Sequence, residues 1–142
     1  MGGVMGKINW GRVFLCGLVT GVVWGALAAP LGLLVGKDFM AAVPIGNPLS
    51  PFRPGLFAFY SAMWFVVGVW MMWLYAAIRP RYGPGPKTAA IAGLATAVFG
   101  ALADAIWAGF GFVPPELLVA PVAAAVPILI VAAMAGAWLY KE

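Results

Sequence analysis

Asp104 stands in the run GALADAIWAGF, a carboxylate among apolar neighbours. Acids inside a membrane span are rare and costly, and by default they mark proton relays and ion pathways. Thr96 stands two turns earlier on the same helical row, with Gly100 between, so one hydroxyl extends the polar path inward. Proton or ion coupling is the chemistry this pair would do. Little else is on offer, because the chain has no histidine, one cysteine (Cys16), and four acids: Asp38, Asp104, Glu116 and Glu142. A Ser/His/Asp triad, a His/Cys metal cluster, a thiol redox pair and histidine-ligated haem all lack their residues. The expectation is no enzymatic activity, no metal and no cofactor. Cys16 reads as a small packing residue. Asp38 reads as the cap of a short surface helix, DFMAAV. Glu116, after Pro114 and Pro115, suits the N-terminal end of a helix.

The elements that position Asp104 follow from composition. Hydrophobic residues make up 65% of the 142 and charged residues 8%, where a soluble domain carries about 25% charged. Four uncharged or nearly uncharged runs of bilayer length occupy 13–35, 56–78, 89–110 and 117–140. They predict an all-α, polytopic membrane protein, a bundle of four membrane-spanning helices forming a single domain over 1–142. An outer loop, 36–55, and a cytoplasmic loop, 79–87, complete it. The first span also has the look of a cleavable secretion signal ending at ALAA, but its apolar run continues through PLGLLV, which favours an uncleaved span. Counting from Thr88 at ~1.5 Å per residue puts Asp104 at ~24 Å. That leaves ~6 Å to the outer boundary of a ~30 Å hydrocarbon layer. There it would pair with Arg53 or Lys37, or reach water.

Orientation follows from the cations. With the N-terminus inside, Lys7, Arg12, Arg79, Arg81, Lys87 and Lys141 face the cytoplasm, against Lys37 and Arg53 outside. This asymmetry favours both termini inside and opposes dual-topology insertion. The loop RPRYGPGPK concentrates Arg79, Arg81 and Lys87 without an acid. Each would gain about 1 kcal/mol from anionic lipid headgroups. Its prolines give no groove-reading helix, so nucleic acid is not an expected partner. Trp10, Trp73, Tyr75, Tyr82, Trp107, Trp138 and Tyr140 lie near span ends and read as interfacial anchors.

Small residues recur every four positions in two spans: Gly17, Gly21, Gly25 and Ala29 in the first, then Gly93, Ala97, Ala101, Ala105 and Gly109 in the third. Such rows let backbones approach in lipid, where no hydrophobic force drives helices together. The two grooves are expected to face each other or the bulky second span, whose Phe57, Trp64, Phe65, Trp70, Met71 and Met72 supply knobs. GLVTGVV at 17–23 lies over GLATAVF at 93–99, and WLY recurs at 73–75 and 138–140. These matches suggest a parallel duplication of a two-helix unit.

The opening INWGRV and the loop IRPRYGPGPKTA resemble small uncharacterised four-span bacterial inner-membrane proteins. The resemblance implies a bacterial cytoplasmic membrane and no particular activity. Two function classes remain. The one the sequence favours is a non-catalytic accessory or scaffolding subunit packing against other membrane chains, on its aromatic knobs, small-residue grooves, slight polar content and short loops. The other is a small oligomeric proton- or ion-coupled transporter or channel using Asp104, to which Pro121 and Pro127 add freed backbone carbonyls. The orientation of Asp104 discriminates: a cavity between helices points to transport, a basic side chain or headgroup to structure.

Overall fold

The computed structural model describes residues 8–42 and 54–140. Their regular structure is helical: α1 Trp10–Ala42, α2 Pro54–Tyr82, α3 Pro86–Gly109, a 3-10 turn Pro115–Leu117 and α4 Val119–Leu139. Each of the four long elements contains a stretch long and apolar enough to cross a membrane. The fold is an all-α four-helix bundle, with lipid the solvent its surface suits.

Element ends differ from expectation for local reasons. Asn9 Oδ1 accepts the backbone N–H of Arg12 at 3.2 Å and starts α1. α1 then runs through Pro30 to Ala42, well past residue 35. Proline removes one intrahelical hydrogen bond there without ending the helix. Asp38 therefore lies within α1 and does not begin a separate helix. Arg53 and the side chain of Lys37 lie outside the described residues, and with them the pairing expected for Asp104.

The loop expected over 79–87 contracts as well. α2 continues through Arg79, Pro80 and Arg81 to Tyr82, so the connection 79–87 shrinks to Gly83, Pro84 and Gly85. Gly83 has φ 82° and Gly85 φ 129° with ψ −175°, backbone that side-chain-bearing residues avoid. Thr88 Oγ1 donates to the Gly83 carbonyl at 2.6 Å, and the Gly85 N–H donates to the Tyr75 hydroxyl at 3.3 Å.

The helices form a ring in which α1 neighbours α2 and α4, and α3 neighbours α4 and α2. α2 and α4 also touch across the centre, and the α2–α3 side is the thinnest of the four. Small and medium residues make up much of the interior, among them Cys16, Thr20, Ala89, Ala92, Ala132 and Ala133, beside buried Met71, Met72 and Tyr75. Large ones such as Phe14, Leu18, Phe99, Leu102 and Trp138 point outward. This inversion suits lipid, where close backbone approach and not apolar burial binds helices.

Glycine sets the α1–α2 seam from both sides. A Cβ on Gly17 would lie 2.5 Å from Val69 Cα, one on Gly21 2.9 Å from the Trp64 carbonyl, and one on Gly25 2.5 Å from the Trp64 ring. Reciprocally, a Cβ on Gly68 would run into the Gly17 carbonyl and lie 2.7 Å from Gly21 N. The row on α3 corrects the expected facing: it packs on α4, where a Gly93 Cβ would lie 2.7 Å from the Leu129 carbonyl. Consecutive antiparallel helices take each other as partners first. Both rows also stop short of their outer ends. Ala97 is buried and Ala101 half-buried, whereas Ala29, Ala105 and Gly109 are exposed, with nothing within 4 Å of a Cβ on Gly109.

Two interfacial anchors move inside. Tyr75 and Tyr140 are buried and meet edge-on, ring centroids 5.7 Å apart. These positions share the repeated WLY, and Thr20 and Thr96, paired by the other match, each donate a side-chain hydrogen bond to the carbonyl four residues back, at 2.9 Å. Trp10, Tyr82, Trp107 and Trp138 stay exposed near helix ends, and Trp73 is partly buried.

Candidate functional site

Asp104 sits on the C-terminal half of α3, ~27 Å along the helix from Pro86. It is half-buried. Its helix carries it past the last tight contact of the α3–α4 seam, into a region where small residues leave room. One cavity there, of about 550 Å³, lies between α2, α3 and α4 and reaches Trp24 of α1. Thr96 stands at its inner end and Asp104 at its outer end. Between them the wall is apolar and aromatic, with Val66, Val67 and Trp70 from α2 and Val122, Ala125 and Leu129 from α4.

A second cavity, of about 470 Å³, lies between the outer ends of α3 and α4, lined by Gly109, Pro115, Leu118 and Val119. Ala101, Asp104 and Val122 line both spaces. The carboxylate thus stands where a groove from the middle of the bundle meets a crevice between the C-terminal end of α3 and the start of α4. Among the described residues no basic side chain pairs with it. The described cations Arg12, Arg79, Arg81 and Lys87 belong to the opposite ends of the helices.

Thr96 and Asp104 are brought to one cavity, as their shared row implies. The Thr96 hydroxyl gives its hydrogen to the Ala92 carbonyl at 2.9 Å, leaving only oxygen lone pairs toward the groove. What the pair can do is narrow: the carboxylate can exchange a proton or hold one positive charge, and the wall behind it solvates apolar matter.

Spacing did not reveal Trp24, Trp70 and Val122 as wall residues, since each is one apolar side chain among many. Gly68 and Gly136 were also missed. Gly68 stands among bulky residues in the middle of α2 and Gly136 among the alanines of α4, and neither belongs to a row of glycines four apart. A Cβ on Gly136 would collide with the Thr20 hydroxyl and lie 2.8 Å from Met72 Sδ, so this glycine seats α4 on α1 and α2.

The cations at the end of the bundle opposite Asp104 separate into two kinds. Arg81 and Lys87 are exposed. Arg79 is half-buried and its guanidinium lies over the Tyr140 ring, 5.5 Å from the centroid. Arg12 reaches the Leu139 carbonyl at 3.5 Å, a cation at the negative end of α4.

The fold and this site define a small helical membrane protein with one carboxylate facing intramembrane space. Comparison with protein-family models, curated proteins and solved structures finds no match for the chain.

Proposed function

We propose that this chain is a small, non-catalytic, proton- or ion-coupled membrane transporter that works as an oligomer through Asp104. The supporting observation is the position of that carboxylate between two cavities among the helices. An acid kept for coupling needs space in front of it, because a proton or charged solute must arrive and leave. The outer crevice supplies access from one side, and the thin α2–α3 side is where a second copy would complete the wall.

The setting is a bacterial cytoplasmic membrane, by the resemblance of the INWGRV and IRPRYGPGPKTA segments. Six cations against two favour both termini in the cytoplasm. Exposed Arg81 and Lys87 would then meet anionic headgroups of the inner leaflet.

A second reading, an accessory or scaffolding subunit, is favoured by a different observation. Ala29, Gly100, Ala105 and Gly109 are small and exposed, a surface suited to another helix. Liposomes enclosing a pH-sensitive dye separate the two. Under an imposed cation gradient the parent should shift internal pH and Asp104→Asn should not. Equal flux in both, or none in the parent, would remove the transport reading. Stoichiometric co-purification of one membrane protein, abolished by Ala105→Trp, would establish the other.

A further inference from the structure

We infer that the groove beside Asp104 is a binding site for an amphipathic organic cation, its ammonium-type head on the carboxylate and its apolar body between α2, α3 and α4. The inference rests on the reading of Asp104 as a working group and adds the chemical class of what it holds. About 550 Å³ falls within the range of small-molecule pockets. From Thr96 to Asp104 the groove runs ~12 Å along α3, with its charge at the outer end only.

Each alternative ligand class fails on a stated property of the wall. A bare inorganic cation gives up several water oxygens on binding and needs several protein oxygens in return. Among the side chains lining this groove only Asp104 and Thr96 offer oxygen. A neutral apolar molecule has no use for a carboxylate, and an anion would be repelled by it. An organic cation uses both halves of the site. Its charge is spread and weakly hydrated, so little is lost on leaving water. Trp24 and Trp70 line the groove, and aromatic rings attract such a charge and pack an apolar body. The crevice between Gly109 and Pro115 gives the head a route from the outer end of the bundle.

The same chemistry has two sources, a free amphipathic amine or a bilayer lipid with an ammonium headgroup. One experiment tests the class and distinguishes them. The full chain is placed in uncharged dodecyl maltoside micelles and titrated with ω-bromoundecyl trimethylammonium or, as the uncharged counterpart, ω-bromoundecanol, bromine quenching nearby tryptophan. The cation should bind at least about tenfold more tightly than the alcohol. Asp104→Asn should erase that difference, Asp104→Glu should keep it, and Trp24→Phe with Trp70→Phe should reduce the quenching amplitude. Competition by added phosphatidylethanolamine assigns the natural ligand to the bilayer, and its absence assigns a free cation.

Equal affinity of cation and alcohol in the parent, or a difference that survives Asp104→Asn, overturns the inference. If flux in liposomes depends on Asp104 while the two probes bind alike, only the ligand class falls. If both flux and discrimination are missing, the function reading falls with it.

Discussion

At the scale of single residues, glycine has opposite meanings at positions that look alike in the sequence. Gly68 faces the Gly17 carbonyl with no room for a methyl group, whereas Gly109 has nothing within 4 Å of a Cβ. Gly68→Ala should lower stability by about 1–3 kcal/mol through overpacking of the α1–α2 seam. Gly109→Ala should change it by no more than ~1 kcal/mol, in the stabilising direction, because alanine is the better helix former. Thermal unfolding of both variants in one detergent measures the contrast. Similar Tm losses would mean that the glycines are not read by packing. The row of four-residue spacings pointed to Gly17, Gly21, Gly25 and Gly93, but not to where each row stops. Spacing fixes which face a residue shares, while the divergence of two helices depends on side chains in both. Asp104 was legible for a simpler reason: a charge in an apolar run stands out in any window, whereas the wall opposite it comes from three other helices.

At the scale of elements, the existence and type of all four helices followed from runs of bilayer length, since nothing but a helix satisfies its own backbone in lipid. Their ends were less legible. Arg79, Pro80 and Arg81 carry loop-like composition yet complete the last turn of α2, and only Gly83, Pro84 and Gly85 turn the chain. Gly85, at φ 129° and ψ −175°, occupies backbone space that is essentially glycine's own. Gly85→Ala should cost about 1–3 kcal/mol, with faster proteolysis at the turn, although nothing lies within 4 Å of the added carbon. Gly55→Ala, at a comparably open position, serves as the control. Unchanged Tm and proteolysis in Gly85→Ala would show that the turn relaxes without strain. The tyrosines of the repeated WLY also resisted a local reading. An aromatic ring near a span end settles at the headgroups unless a partner from another helix takes it inside, and Tyr75 and Tyr140 take each other.

For the molecule as a whole, orientation is the property on which the function reading turns, because Asp104 must face the outer leaflet for its crevice to open outward. Single cysteines introduced in a Cys16→Ala background at Tyr82 and at Phe112 test it in intact cells. A membrane-impermeant maleimide should label Phe112→Cys and spare Tyr82→Cys, and the reverse pattern would invert every assignment of side. The buried tyrosine pair carries a consequence for biogenesis. The glycine seam joins α1 to α2, neighbours in synthesis, so the first hairpin can clasp while the second half is still being made. Tyr140 lies at the far end of α4, so its meeting with Tyr75 waits for the last span to enter the bilayer. Until then the nascent chain holds an open flank, which shuts only once α4 has been made and has crossed beside α2.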